Sequence, residues 1–181
     1  MTDDLAWETL ESDIAYTCPG FDVVHEAVRL PDGTGTDFDF FREGDSVVVL
    51  PFTPDGDVVV IEEWRQAVKR VNYGLPAGSV ESHDDEPRGA VGRELAEETG
   101  YEAGSVEYIY SAEPANGFAD SEFHYFVARD CEPTAEQDLD FNESIRVETT
   151  EFESLVEGVR DGKLRDGRSA VGILYYALFE R

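Results

Sequence analysis

Basic residues are scarce in this sequence, and lysine is the scarcest of them. The 181 residues include 41 aspartates and glutamates but 14 lysines and arginines, which leaves a formal net charge of −27. Lys69 and Lys163 are the two lysines. Because phosphate backbones and anionic membranes are bound by basic surfaces, this composition argues against a nucleic acid or a membrane as the partner.

Cysteines and long apolar runs are also few. Cys18 and Cys131 have no metal-binding spacing, and we expect both to be free thiols. Residues 1–20 contain no apolar region typical of a signal peptide, and no apolar run elsewhere approaches the ~20 residues that span a bilayer. The sequence therefore predicts a cytoplasmic protein.

The acidic residues are spread along the whole chain, which resembles proteins of salt-loving microbes. A hydrophobic content of 41% with 12% aromatic residues nevertheless predicts a folded globular chain with one main core. Salt at 1 M shortens the Debye length to ~3 Å and screens the repulsion within such a surface. We expect a halophilic protein that is less stable in dilute buffer.

Two pairs of strands are predicted in the first half of the chain. The segments "FDVVHEAVRL" and "TDFDFFRE" flank "PDGTG", which favours a hairpin in an N-terminal β unit over residues 1–45. The segments "DSVVVLPF" and "DVVVIEEWRQ" flank "TPDGD" and predict a second hairpin whose strands are buried on both faces. This pair begins the main domain, residues 46–181.

Helices and further strands follow a predicted loop at "YGLPAGSV". A helix over residues 87–99 is indicated by Pro87 in the first turn and Gly100 just after the end. Three strands are predicted in "SVEYIYSAEP", "SEFHYFVARD" and "SIRVETTEF", and helices in "FESLVEGVRDG" and "SAVGILYYALFER". The fold class is therefore α/β (α+β), with a mixed sheet flanked by helices.

Three carboxylates are crowded on one face of the predicted helix. Glu94 lies three and four positions before Glu97 and Glu98, so the like charges weaken the helix unless something positive offsets them. The alternatives are nearby arginines, salt cations around a solvated acidic face, or a bound divalent metal. The "GLPAGSV" turn upstream and Arg93 beside the acids favour a built site with a carbonyl and carboxylates, the ligands of Mg²⁺.

Residues 78–101, "GSVESHDDEPRGAVGRELAEETGY", resemble the signature of the Nudix hydrolases. Its second half, Arg93 to Tyr101, matches in full. The first half departs, because six residues instead of five separate Gly78 from Asp85, which stands where the family has a glutamate.

The resemblance implies an αβα sandwich that binds Mg²⁺, with Mn²⁺ as the alternative ion. Glu94, Glu97, Glu98 and the Ala77 carbonyl are the implied ligands. Arg93 orients the glutamates and, with Glu98, is implied to be catalytic.

Other segments resemble the ADP-ribose pyrophosphatase branch of that family. They are "EWRQAVKRVNYGLPAG", "SAEPANGFADSEFHYFVA" and "LRDGRSAVGILYYAL". Members hydrolyse ADP-sugars to AMP and a sugar phosphate, and are commonly homodimers whose N-terminal β unit packs on the partner and helps to form the substrate pocket.

Three more candidate residues come from this resemblance. Arg65 is expected to contact substrate phosphate, the alternative being a surface ion pair. Glu122 is expected to face the substrate, and an exposed strand residue explains it equally well. Glu143 resembles the catalytic acid of a loop, a role for which Asp138 and Asp140 compete.

The histidines are not expected to be ligands. His25, His83 and His124 show no pairing in the sequence and are interpreted as packing or surface residues. The leading hypothesis is thus Mg²⁺-dependent hydrolysis of a nucleotide-sugar, most of all ADP-ribose. The alternatives are another nucleoside diphosphate derivative or triphosphate as substrate, and a Nudix-fold module that binds a nucleotide without cleaving it.

Overall fold

A computed structural model describes residues 4–181 of the chain. Two compact units divide these residues. The first comprises the residues up to Gly44 together with Ala115–Ser121, and the second comprises Asp45–Pro114 and Glu122–Arg181. Each unit is described below by itself.

The first unit is a three-stranded antiparallel sheet in the order β1-β2-β3. Its strands are β1 (Glu8–Cys18), β2 (Phe21–Arg29) and β3 (Gly35–Glu43). The predicted hairpin around "PDGTG" is confirmed, since β2 pairs with β3 along its whole length. Strand β1 was not predicted, because two register shifts interrupt its alternation and almost all of its residues are exposed.

The second unit contains the remaining strands and all the helices of the described residues. They are β4 (Ser46–Pro51), β5 (Val58–Arg65), β6 (Arg70–Gly74), β7 (Ala77–Ser79), α1 (Pro87–Thr99), β8 (Ser105–Ala112), β9 (Phe123–Arg129), β10 (Ile145–Thr150), α2 (Phe152–Arg160) and α3 (Gly167–Tyr175), which continues as a π-helical turn over Tyr176–Glu180. One sheet has the order β7-β4-β9-β8 and the other β10-β5-β6. The first of these is mixed, because β4 and β9 run parallel while the other pairs are antiparallel.

The predicted hairpin between β4 and β5 is wrong. The segment "TPDGD" does form a turn, in which the Thr53 N–H donates to Asp57 O at 2.8 Å. An isolated antiparallel bridge joins Phe52 to Val58 beside this turn, but strands β4 and β5 themselves belong to different sheets. Strand β4 has two hydrogen-bonding edges, and β7 and β9 occupy both of them, so none is left for β5.

The "YGLPAGSV" segment is also more ordered than the predicted loop. Its first residues end strand β6 at Gly74, and Ala77–Ser79 forms the short strand β7 on the edge of β4. Ala77 is therefore fixed by a ladder position opposite Val48.

Two cores lie on the two faces of strand β4, which is buried as predicted. Val47 and Val49 pack in one cluster with Leu95 of α1. The alternate residues of β4 belong to the other cluster, together with Leu155 of α2 and Ile173 of α3. Because side chains alternate along a strand, this division places helices on both faces of the sheet and confirms the predicted αβα fold class.

Helix α1 begins and ends where the sequence predicts. Pro87 occupies its first turn, and Gly100 follows its last residue with a left-handed φ of 75° while donating its N–H to Ala96 O. Within residues 4–181, none of the helices has the length and apolar character needed to cross a membrane.

Candidate active site

A cleft of about 420 Å³ opens in the second unit beside α1. It brings together seven of the eight predicted site residues: Arg65, Ala77, Arg93, Glu94, Glu97, Glu98 and Glu143. Asp138 and Asp140, which compete with Glu143 in the sequence, line it as well. Glu122 lies outside it, with one carboxylate oxygen 3.9 Å from Nδ1 of His124. The structure thus assembles the predicted set from strands, helix and loop, without Glu122.

Arg93 forms hydrogen bonds to several acids of the cluster. Its Nη1 donates to Glu94 Oε1 at 2.8 Å and to Glu97 Oε2 at 3.1 Å, so it neutralises part of the like-charge repulsion. Its Nη2 donates to the Ser79 carbonyl at 2.9 Å and to Asp84 Oδ2 at 3.0 Å. Burial lowers the pKa of Arg93, but the bond to Asp84 and the charge of Glu94 outweigh it and raise the pKa above its ordinary value.

Asp84, and not Asp85, meets the signature arginine. Asp84 Oδ2 accepts from the Glu81 N–H at 2.9 Å as well as from Arg93, and the Glu81 bond is the main cause of the lowered pKa of this carboxyl. Asp85 is exposed. Counting from Gly78, Asp84 keeps the five-residue spacing of the signature, so the extra residue lies between Asp84 and Arg93. The predicted position of the insertion, before Asp85, is corrected accordingly.

Two of the glutamates are buried against the loop before the helix. Glu98 is 4% exposed and accepts a hydrogen bond from the Ala77 N–H at 2.9 Å, while Glu94 is 9% exposed. Burial raises the pKa of Glu98 to about 8 and that of Glu94 to about 7. Both carboxyls therefore bind a proton more tightly than a free glutamate does.

Two hydrogen bonds attach the loop before β10 to the end of α1. Gln137 Nε2 donates to the Glu98 carbonyl at 2.6 Å, and the Asp138 N–H donates to the Glu97 carbonyl at 3.0 Å. Further along, the carboxylate of Glu143 accepts the Asp140 N–H at 3.0 Å. These bonds place the loop acids in the same cleft as the helix glutamates.

Two arginines line the cleft in addition to Arg93. Arg65 Nη2 lies 2.6 Å from Oε2 of the buried Glu63, so it forms an ion pair with an acid that the sequence did not single out. Arg168 Nε lies 3.4 Å from Asp166 Oδ1. Arg168 was not among the predicted site residues, although the small number of cations in this chain made each arginine a candidate for binding an anion.

None of the three histidines lines the cleft. His25 contacts Asp39 at 2.8 Å, His83 lies 3.3 Å from Glu81, and His124 contacts the Ser111 hydroxyl at 2.8 Å.

The acid cluster fits a hard divalent cation by its donor chemistry. Every candidate donor is an oxygen, which is the ligand atom that hard divalent cations prefer. Within residues 4–181 no three acidic, histidine or cysteine side chains stand close enough together to hold a metal ion. The reason is local, because Glu94 and Glu97 face Arg93 while Glu98 faces the Ala77 N–H.

The NUDIX domain family matches residues 42–169, which is well over half of the chain. The chain belongs to this family. With the cleft described above, it is a Nudix pyrophosphohydrolase, and the predicted family is confirmed.

Curated relatives agree with this assignment, and a solved structure shares the fold. An ADP-ribose pyrophosphatase of Bacillus subtilis is 29% identical over 174 residues, covering 96% of this chain and 94% of its own. A GDP-mannose pyrophosphatase of Klebsiella pneumoniae is 26% identical over 142 residues, covering 75% and 72%. A crystal structure of an ADP compounds hydrolase shares the fold with a TM-score of 0.83 at 17% identity, covering 94% of this chain and 92% of that one.

Gly78 is required by the close approach of Glu94 in this Nudix cleft. A Cβ built on Gly78 would lie 2.0 Å from the carboxyl carbon of Glu94. We expect Gly78→Ala to displace that carboxylate and to lower hydrolytic activity at least about 10-fold while the protein still folds. Gly92→Ala in α1 is the matched control, since its Cβ meets nothing within 4 Å. The control should keep full activity and gain about 0.5–1 kcal/mol of stability. Equal activity of both variants would show that the position of Glu94 is not critical.

Proposed function

We propose that this Nudix enzyme hydrolyses the diphosphate bond of a nucleoside-diphosphate sugar, with ADP-ribose as the preferred substrate and Mg²⁺, or alternatively Mn²⁺, as the cofactor. The observation that carries the proposal is a single cleft that joins the helix carboxylates, a loop acid and Arg65. A diphosphate ester needs this combination: oxygen ligands for a metal, an acceptor for the proton of water, and a cation for the phosphate. The B. subtilis relative, which covers nearly the whole chain, supports the choice of ADP-ribose.

The metal would be held by Glu94, Glu97, Glu98 and the Ala77 carbonyl. A bound divalent ion supplies activation of water and neutralisation of charge on the diphosphate. Arg93 holds Glu94 and Glu97 in the cleft and ties them to the Asp84 loop. The donor set therefore depends on this arginine for its position.

Glu143 is assigned as the acceptor of the proton from water. The Asp140 N–H fixes its carboxylate, and its charge contributes to the raised pKa values of Glu94 and Glu98, so it faces them. Asp138 and Asp140 are not among the largest causes of these shifts. In the reaction the water oxygen forms a bond to one phosphorus and the bridging P–O bond breaks. The proton passes to Glu143, and the products from ADP-ribose are AMP and ribose 5-phosphate.

Arg65 is assigned to the phosphate oxygens of the substrate. It is anchored by the buried Glu63, so its guanidinium is held in the cleft. Charge-assisted hydrogen bonds from a fixed guanidinium bind phosphate oxygens strongly. Glu122, which lies outside the cleft, has no part in this assignment.

A second candidate substrate is supported by the GDP-mannose pyrophosphatase of K. pneumoniae. The bond cleaved and the products' class would be the same, and the nucleobase and sugar would differ. A panel of ADP-ribose, GDP-mannose and a nucleoside triphosphate, with the nucleotide products separated by ion-exchange chromatography, distinguishes these substrates. Turnover of none of them, with tight nucleotide binding, would favour a binding module.

Glu98→Gln should abolish Mg²⁺-dependent hydrolysis of ADP-ribose without unfolding the protein. The change removes one ligand charge and keeps the size of the side chain, so the rate should fall by at least about 100-fold. Glu157→Gln, an exposed glutamate of α2, is the control and should hydrolyse like the wild type. The metal site would be refuted by a Glu98→Gln enzyme of normal rate, or by a wild type that ignores both Mg²⁺ and chelator.

The same variant has a second expected effect in the metal-free protein. The folded pKa of Glu98, about 8, exceeds its ordinary value of 4.5, so the folded chain retains a proton that the unfolded chain has released. Its contribution to stability is complete below the ordinary value and is lost as pH rises through about 8. Calorimetry in chelator between about pH 5 and about pH 8 should show a smaller fall in thermal midpoint for Glu98→Gln.

Glu143→Gln should lower the turnover number by about 10²–10⁴-fold, the usual effect of losing a general base. Asp140→Asn is the matched comparison, because Asp140 lines the same loop and its backbone N–H, which the substitution keeps, fixes Glu143. Single-turnover kinetics with saturating Mg²⁺ measure the rate of the chemical step in both variants. If the larger loss belongs to Asp140→Asn, the base has been assigned to the wrong acid.

A homodimer is proposed from exposed apolar residues of the N-terminal sheet. Trp7, Ile14 and Tyr16 on and beside β1 are each more than half exposed, which is costly in water unless a second chain covers them. Light scattering should give a dimer, and Ile14→Glu should shift it to monomer. Leu178→Glu, at an exposed apolar residue near the C-terminus, should leave the dimer intact. A wild-type monomer with full activity would remove this proposal.

A further inference from the structure

The cleft has few cations for an anionic ligand. Among the described residues that line it, seven are acidic: Glu81, Glu94, Glu97, Glu98, Asp138, Asp140 and Glu143. Three are basic, and Arg93 already donates to the helix acids and to the Asp84 loop. The guanidiniums that remain for a diphosphate are those of Arg65 and Arg168.

Arg168 is held in the cleft by a buried acid. Its Nε lies 3.4 Å from Asp166 Oδ1. The other oxygen of Asp166 accepts from the Ser169 N–H at 3.0 Å and from the Ser169 hydroxyl at 2.6 Å, which caps the N-terminus of α3. The Leu75 N–H in turn donates to that hydroxyl at 2.8 Å. Arg168 is thus fixed to two elements of the fold through Asp166 and Ser169.

The position of Arg168 is not explained by the stability of its helix. It lies in the first turn of α3, where the positive end of the helix dipole disfavours a cation. In residues 4–181 its terminal nitrogens Nη1 and Nη2 have no hydrogen-bond partner, while its side chain is 24% exposed. Four N–H donors therefore remain for a ligand in the cleft.

Arg65 and Arg168 are close enough to influence each other. Burial is the first cause of the lowered pKa of Arg65, and the charge of Arg168 is the second. Arg65 pairs with Glu63, which also lies on β5. Arg168 of α3 pairs with Asp166, which lies just before that helix. Both guanidiniums line the same cleft, and an anion bound by both would offset their mutual repulsion.

We propose that Arg168 is a second phosphate-binding residue, which with Arg65 clamps the non-bridging oxygens of the substrate diphosphate opposite the helix glutamates. The inference rests on the proposed function and adds a residue to which the sequence gives no role. A guanidinium offers parallel N–H donors that match two phosphate oxygens, so arginine suits this position better than lysine does. Because the diphosphate keeps these oxygens throughout, the clamp acts on substrate binding.

The test compares Arg168→Ala with Arg168→Lys and Arg160→Ala. Arg160 is the matched control, because its Nε also pairs with a neighbouring aspartate, at 2.9 Å, outside the cleft. We expect Arg168→Ala to raise the KM for ADP-ribose by about 10- to 100-fold, the usual effect of losing hydrogen bonds to a charged group. The turnover number should stay within about threefold of wild type. The KM of Arg168→Lys should lie between those of the wild type and Arg168→Ala. The KM of Arg160→Ala should equal that of the wild type.

Binding measured without catalysis provides the second readout. Calorimetric titration with α,β-methylene ADP-ribose, whose bridge cannot be hydrolysed, should show the same loss of affinity for Arg168→Ala. A purely structural ion pair would instead lower the thermal midpoint and leave KM and affinity unchanged, which overturns the proposal. If Arg168→Ala does not fold, Arg168→Gln takes its place with the same expectation, because its amide N–H group stands where Arg168 Nε pairs with Asp166 while the terminal nitrogens are removed.

The clamp and the proposed function fail in different ways. If the wild type cleaves ADP-ribose and Arg168→Ala has an unchanged KM, the clamp alone is wrong. If the wild type does not cleave ADP-ribose, the proposed substrate is wrong, and titration with inorganic pyrophosphate then decides on the clamp. Equal pyrophosphate affinity of wild type and Arg168→Ala would overturn it, and weaker binding by the variant would support it.

Discussion

The guanidinium of Arg93 is the constraint on which the rest of the cleft depends. It donates to oxygens of Glu94 and Glu97 on its own helix, to the Ser79 carbonyl at the end of β7, and to Asp84 in the loop that follows. A single planar group thereby fixes the distance between β7 and α1. Glu94 and Glu97, which would otherwise repel each other along the helix, both accept hydrogen bonds from the Arg93 guanidinium.

The electrostatics of the cleft follow from how few cations the chain contains. Three arginines stand among seven carboxylates, and each of the three is itself paired with an acid. Glu94 and Glu98 are left with raised pKa values because burial outweighs the charge of Arg93 and the Ala77 N–H. The seven carboxylates lie on α1 and in the loops that line the cleft, whereas Arg65 and Arg168 lie on β5 and α3.

Local signals predicted the parts of the fold that are built locally. Pro87 and Gly100 gave the bounds of α1 because caps and breakers act within one turn of a helix. The β4–β5 hairpin failed because the partner of a central strand is decided by distant strands that compete for its edges. The spacing of the signature gave the helix glutamates, whereas Asp84 could be identified only once the loop conformation showed which aspartate reaches Arg93. Arg168 was missed since nothing in its neighbourhood of the sequence shows that α3 begins at the cleft.

The six-residue segment Asp138–Glu143 is attached at both ends to rigid elements. Its first N–H is held by the Glu97 carbonyl at the end of α1, and the carbonyl of the following Ser144 accepts the Trp64 N–H of β5 at 3.2 Å. A short tether with two fixed ends can change its sequence without altering either core. Residues of this tether other than Glu143 can therefore be exchanged while the helix glutamates and both sheets stay as they are.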